Sequence, residues 1–293
     1  MPELPEVETI VRELNRKISG KTLSRFFVFD KKLPRAGFRL PAKIVAAQRH
    51  GKYIVFHAEG DPVKSRGAGV SQDHGASKKI LIHLRMTGSL LLDTNKKKRR
   101  WSAAKGERAA FLFSDGFILH FFDTRRFGTV EWFGSAHHKW PKKENLPELG
   151  MEPLSKEFTL VALKEMLRDS SRAIKSFLLD QKKVAGIGNI YADESLWTAR
   201  INPKRRAGSL SGGEIKKLAE SIKKTLREAI KKGGFTLRDY KRLDGSSGYY
   251  QHSRKVYDRE GLPCKRCHAT IRRIKIGGRS SYFCFVCQPP PRI

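Results

Sequence analysis

Met1-Pro2-Glu3-Leu4-Pro5-Glu6-Val7-Glu8 opens the chain, and the fold has to be one that can use these eight residues. Methionine is readily trimmed before a small residue, and its loss would leave Pro2 with a free secondary amine. Such an amine attacks a sugar aldehyde carbon and gives an iminium ion, a covalent intermediate of the Schiff-base type. An α-amino group titrates near about pH 8, far below lysine, so much of it carries a lone pair at neutral pH. Glu3 and Glu6 follow at once. The same residues also read as a plain helix start, because proline suits a first helical turn and acids suit its positive end.

Beyond them, residues 5–19 carry Val7, Ile10, Val11, Leu14 and Ile18 at spacings of three and four, which predicts an amphipathic helix ending at Gly20. This helix would hold the chain start against a core. From Thr22 the period changes to two. Strands are expected at 22–30, 43–49, 52–58, 79–84, 88–92, 109–114, 117–122 and 129–133, with Ser114-Asp115-Gly116 as a hairpin turn. Short strands in series predict an antiparallel sandwich or barrel. Two polar stretches interrupt them, Gly60–Ser77 and Thr94–Gly106, the second containing Lys96-Lys97-Lys98-Arg99-Arg100. The lysine run reads as a solvated face or a DNA contact.

Residues 134–155 read as a proline- and lysine-containing linker, and beyond it the period is helical. Helices are expected at 160–167, 172–179, 190–199 and 211–232, the last with Ser211 and Glu214 at capping-box spacing. The expected division is 1–134, a linker at 135–155, 156–255 and 256–293. Gly186-Ile187-Gly188-Asn189 leads into the third of these helices. Two glycines before a helix start turn backbone N–H groups toward an anion, with Asn189 capping the helix or reaching a phosphate; a plain turn and cap is the simpler account.

Lys and Arg number 60 against 29 Asp and Glu, a formal net charge of +31, so a polyanionic partner is expected, nucleic acid before a membrane surface. No apolar run approaches the roughly 18 residues that span a bilayer, and no signal peptide is visible. The expected location is the cytoplasm, where structural disulfides are rare. The four cysteines form two pairs, Cys264-Lys265-Arg266-Cys267 and Cys284-Phe285-Val286-Cys287, sixteen residues apart. Two such turns can close a tetrahedron of thiolates around one zinc ion, and a four-cysteine site leaves no open position, so the zinc would be structural. The intervening Arg272, Arg273, Lys275 and Arg279 make this a basic hairpin. A last signal is the pair His83-Leu84-Arg85-Met86-Thr87-Gly88 and Asp123-Thr124-Arg125-Arg126-Phe127-Gly128. Met86 and Phe127 are core residues on one reading and wedges into a base stack on another.

Taken together, MPELPEVET, HLRMTGSL, DTRRFG, LLDQKKVAGIGNIYADESLW and the paired cysteines resemble, in order and over nearly the whole chain, the bacterial formamidopyrimidine-DNA glycosylases (Fpg/MutM). The start is more similar to this branch than to endonuclease VIII, which typically has glycine in place of Leu4. The resemblance implies an α+β fold: an N-terminal helix and antiparallel β-sandwich, then a helical domain with a helix–two-turns–helix motif and a zinc-finger hairpin. It implies a monomeric base-excision-repair enzyme that removes oxidised purines from duplex DNA and cuts the strand by β,δ-elimination, in a bacterial cytoplasm near the nucleoid. Pro2 would be the nucleophile at C1′, Glu3 the general acid, Lys52 a phosphate contact and proton carrier, and Glu6 a buried support. Met86, Arg125 and Phe127 would fill the gap left by the everted nucleotide. Asn189 and adjacent amides would hold phosphate, Arg172 and Tyr249 would add DNA contacts, and Arg279 would bind phosphate and assist δ-elimination. Thr236–Tyr250 corresponds to a mobile loop closing over the everted base.

Three departures bear on this. Gly60–Ser77 is longer than usual. Gly106-Glu107-Arg108 stands where members often have His-Asp-His, so that DNA contact is either lost or taken over by Arg108. Arg238 replaces a lysine found in some members. The alternatives are an endonuclease VIII-like preference for oxidised pyrimidines, and a zinc-containing DNA-binding protein without catalysis. A mere binder has no need of Pro2-Glu3.

Overall fold

The computed structural model describes residues 1–60, 78–95, 103–134, 146–236 and 239–290. The Gly60–Ser77 insertion beyond its first residue, the Lys96–Arg100 run, residues 135–145 of the expected linker and Arg238 lie outside the described residues. The chain forms two compact units. One comprises Met1–Pro2, Glu6–Leu146 and Thr236–Gly248; the other comprises Glu3–Pro5, Pro147–Phe235 and Tyr249–Ile293.

The first unit holds most of α1 (Leu4–Ile18) and eight strands: β1 (Thr22–Val28), β2 (Ala42–His50), β3 (Tyr53–Gly60), β4 (Lys78–His83), β5 (Ser89–Asp93), β6 (Glu107–Phe113), β7 (Ile118–Phe122) and β8 (Thr129–Phe133). Every expected strand is present, within two residues at each end. They run antiparallel in the order β5-β7-β6-β1-β2-β3-β4-β8. β1 joins β2 only through Thr22 and Leu23, while its remaining length pairs with β6 past a register shift at Leu23/Arg25. That short joint makes two four-stranded halves, and their apolar faces share one core. Ile54, Phe56, Ile80, Ile82 and Val130 of one half pack with Phe111, Phe113, Leu119 and Phe121 of the other. The expected sandwich is therefore what forms.

The stripe of α1 enters the same core: Val7, Ile10, Leu14 and Ile18 are fully buried. Burying each such side chain contributes about 1.5–3 kcal/mol, so truncating Leu14 to alanine would cost about 2–5 kcal/mol. Gly20 follows the helix with φ +81°, the left-handed stop expected there. Tyr240 and Leu243 belong to this core as well. The Leu243 carbonyl accepts the Leu92 N–H at 2.8 Å, and Arg242 is ion-paired with Glu13 of α1. The stretch expected as a mobile loop is thus packed, over residues 239–248, into the β unit rather than grouped with the helices on either side of it in sequence.

The second unit contains α2 (Leu160–Leu167), α3 (Ile174–Leu178), α4 (Asn189–Ala199), α5 (Gly212–Lys231) and the hairpin β9 (Ile271–Ile276) and β10 (Arg279–Cys284). α5 starts with the expected capping box between Ser211 and Glu214, and Ile215, Leu218, Ile222, Leu226 and Ile230 are its buried stripe. Leu4 is part of this helical core, fully buried among residues of α2, α3 and α4.

Candidate active site and nucleic-acid interface

Glu3 shows why Gly186-Ile187-Gly188-Asn189 has that composition. Its carboxylate accepts the N–H groups of Gly188 at 2.8 Å, Ile190 at 2.9 Å and Tyr191 at 3.3 Å. Those N–H groups stand in the first turn of α4, where no helical carbonyl precedes them and the helix dipole also favours a negative charge. A Cβ on Gly188 would lie 2.3 Å from the Glu3 Cδ, so only glycine admits the acid. Gly186 takes φ +82° and accepts the Leu4 N–H at 3.0 Å through its carbonyl. The sequence left two readings open, a plain turn and cap, or an anion site at which Asn189 caps the helix or reaches a phosphate. Gly188 occupies the cap position, and the anion on three of the amides is the carboxylate of the chain's own third residue. The Asn189 side chain hydrogen-bonds the Tyr257 phenol. Burial first, and then the Glu3 charge, push that phenol up to about 12. Pro2 is buried next to this anchor in sequence, Met1 is 45% exposed, and Glu6 is buried in α1.

Lys52 is buried at the turn between β2 and β3. Its charge acts on His83, which burial, then Arg85 and Lys52, hold down to about 3. The imidazole is therefore neutral at pH 7. Its Nδ1 accepts the Arg85 N–H at 2.9 Å, and the Tyr53 ring stands edge-on to it at 4.4 Å.

Met86 and Phe127 are not core residues. They are 46% and 52% exposed, on two separate turns that meet. The Arg125 guanidinium lies 3.4 Å from the Met86 sulfur and 5.0 Å from the Phe127 ring centre. The residue before Met86, Arg85, and the residue before Phe127, Arg126, both adopt left-handed backbone, with φ 53° and 58°. Such conformations are costly for non-glycine residues and cluster at functional sites. Arg108 does not join this surface. It is 3% exposed, with its guanidinium 2.7 Å from Asp30 and 3.4 Å from Asp123. Its expected role as a DNA contact is corrected here: a buried guanidinium already shared by two carboxylates has no face left for a phosphate. Asp123 stands in the quoted DTRRFG segment without a role, and Asp30 was not singled out, because a lone aspartate near a strand end carries no periodic signal.

In the second unit Arg172 is half-exposed and paired with Asp180 at 2.7 Å. Tyr249 is 66% exposed. Arg279 is exposed beside the Gly277-Gly278 turn of the β9–β10 hairpin. Lys175 and Asp193, both fully buried, pair at 2.7 Å, and Lys175 also donates to the carbonyl of Ser280, the neighbour of Arg279. Burial pushes both groups toward their neutral forms, against the pull of the pair itself.

The four cysteine sulfurs lie within 4.8 Å of one another. Cys267 is 3.4 Å from both Cys284 and Cys287, and Cys264 is 3.9 Å from Cys287. A tetrahedron with Zn–S bonds of about 2.3 Å has S–S edges of about 3.8 Å, so the cluster fits zinc. N–H donors from Trp197 and Arg266 reach Cys264, at 3.4 and 3.5 Å, as ligand thiolates require.

Comparison with known proteins agrees with this geometry. Family models match in chain order: the formamidopyrimidine-DNA glycosylase N-terminal domain at 1–130, the formamidopyrimidine-DNA glycosylase H2TH domain at 149–241, and the zinc finger found in FPG and IleRS at 261–290. A formamidopyrimidine-DNA glycosylase of Desulforamulus reducens is 40% identical over 98% of this chain and 99% of its own length. Among solved structures, the MutM (FPG) protein from Thermus thermophilus superposes with a TM-score of 0.82 at 34% identity, covering 99% of this chain and 100% of the other. A Lactococcus lactis FPG mutant in complex with Fapy-dG-containing DNA gives 0.81 at 34%, with the same coverage. With three family models matched in chain order and a relative 40% identical over 98% of its length, the chain belongs to the formamidopyrimidine-DNA glycosylase family.

Proposed function

We propose that this DNA glycosylase excises oxidised purines, 8-oxoguanine and formamidopyrimidines, from duplex DNA and then cleaves the strand as an AP lyase. The observation that carries the proposal is the anchoring of Glu3 on three amides of the α4 start, with Leu4 fully buried. The chain start is fixed immediately after a proline that would become the terminal amine. A fixed nucleophile gains the advantage of proximity that a mobile tail lacks.

In this reading the Pro2 nitrogen attacks C1′ and the base leaves with the glycosidic electron pair. Glu3 supplies the proton that opens the sugar ring. The resulting iminium acidifies the C2′ proton, and Lys52 carries that proton away as the 3′ phosphate leaves. Arg279 assists loss of the 5′ phosphate in the δ step. Met86, Arg125 and Phe127 enter the duplex where the nucleotide was, offsetting part of the few kcal/mol spent on eversion. Asn189, Arg172 and Tyr249 contact the backbone. The four cysteines hold one structural zinc, which supplies shape to the Arg279 hairpin and no step of the reaction. The enzyme acts as a monomer in the bacterial cytoplasm.

Borohydride should trap a covalent adduct between the trimmed protein and 8-oxoguanine duplex, and Pro2→Ala should abolish it. Absence of the adduct from protein whose intact mass shows Met1 removed would sink the proposal. Faster excision of an oxidised thymine than of 8-oxoguanine would shift the lesion class to pyrimidines.

A further inference from the structure

The exposed Met86, Arg125 and Phe127 stand on one buried anchor. Asp123, 1% exposed, accepts the Gly128 N–H at 2.6 Å on one oxygen and the Arg125 N–H at 3.2 Å on the other. The oxygen facing Arg125 also accepts a hydrogen bond from the Thr87 hydroxyl, and that hydroxyl accepts from the Arg125 N–H at 3.3 Å. The turn carrying Met86 and the turn carrying Phe127 are thereby tied to the same carboxylate. Arg108 completes the clamp by donating to the Gly128 carbonyl at 2.6 Å, so the residue after Phe127 is held at both its N–H and its C=O. The residue before Phe127 is held too, since Arg126 is paired with Asp30, at 2.8 Å through its Nε. Asp30 in turn grips Arg108 at 2.7 Å. Two acids and two guanidiniums thus meet in one network of ion pairs.

A side chain that enters a base stack works against the few kcal/mol of stacking it displaces. On a soft loop it would be pushed back. We propose that Asp30, Arg108, Asp123 and Thr87 are positioning residues that stiffen the two turns, so that this network governs how well the chain opens a paired lesion. The proposal rests on the wedge role given above to Met86, Arg125 and Phe127. It also gives Arg108 a role directed inward rather than to DNA.

The test uses the full, trimmed chain and four variants: Thr87→Val, Thr87→Ser, Arg108→Met and Phe127→Ala. Each is assayed on 8-oxoguanine opposite cytosine in duplex DNA and on an abasic site in single-stranded DNA, where there is no stack to enter. Amide hydrogen exchange is followed at Arg125 and Gly128. Thr87→Val and Arg108→Met should lose about tenfold or more in kcat/KM on the duplex, the scale expected of a misplaced group, and should keep single-strand cleavage near the parent rate. Their Arg125 and Gly128 amides should exchange faster, while Thr87→Ser, which keeps the hydroxyl, behaves as the parent. Equal losses on both substrates, unchanged duplex activity or unchanged exchange overturns the proposal. If Phe127→Ala is itself without effect on the duplex, the wedge reading beneath it falls instead. Thr87 is only half-buried, so its variants answer the question even if Arg108→Met fails to fold.

Discussion

Among single residues, the site depends on two close fits. Glu3 reaches three helix-start amides only because Gly188 has no side chain. Gly188→Ala would drive the carboxylate off, leaving buried donors unpaired at about 1–3 kcal/mol each. Chemical denaturation should therefore show a loss of about 2 kcal/mol or more, and borohydride trapping should fall with it. An unchanged midpoint would mean that the turn yields without strain. The second fit is His83. Buried and flanked by two cations, it stays neutral and lends its ring nitrogen to the left-handed turn at Arg85. A charged imidazole would have to give up that acceptor.

Among the elements, the zinc hairpin and α4 are one assembly. Asp193 of α4 accepts the Tyr282 N–H of β10 at 2.9 Å, and Gln288 bridges the Cys284 N–H and the Ile201 carbonyl. A two-stranded hairpin is marginal by itself, so the four-cysteine cluster and these buried polar contacts share the work of holding it. Chelation should expose the hairpin to limited proteolysis and weaken duplex binding by about tenfold or more, because metal binding is coupled to local folding. The β unit, whose core is apolar, should keep its thermal transition. Parallel loss of both would show that the finger supports the whole chain. The 239–248 stretch makes a related point. Its polar sequence gives no strand or helix period, yet Tyr240 and Leu243 are core residues and Arg242 grips Glu13.

For the molecule as a whole, the excess of 60 basic over 29 acidic residues sets the partner. Phosphate contacts release counterions, so raising salt from about 50 to about 200 mM should lower duplex affinity by about a hundredfold or more. A nearly flat salt dependence would refute the electrostatic reading. No helix among the described residues is long and apolar enough to cross a membrane. The features legible in the chain alone were periodic or local. The α1 stripe, all eight strands, the α5 capping box and the paired cysteines follow from spacings along the chain, because burial of one face repeats with the geometry of a helix or strand. Folding in three dimensions settled what those spacings cannot carry. Arg108 looked like a surface cation until Asp30 and Asp123 met it from distant segments. The glycine turn could be read along the chain as a plain cap or as an anion site, and only the fold brought Glu3 onto its amides from 185 residues away. The first eight residues thus combine a helix start with the proposed nucleophile, joined by an acid whose partners only the fold could supply.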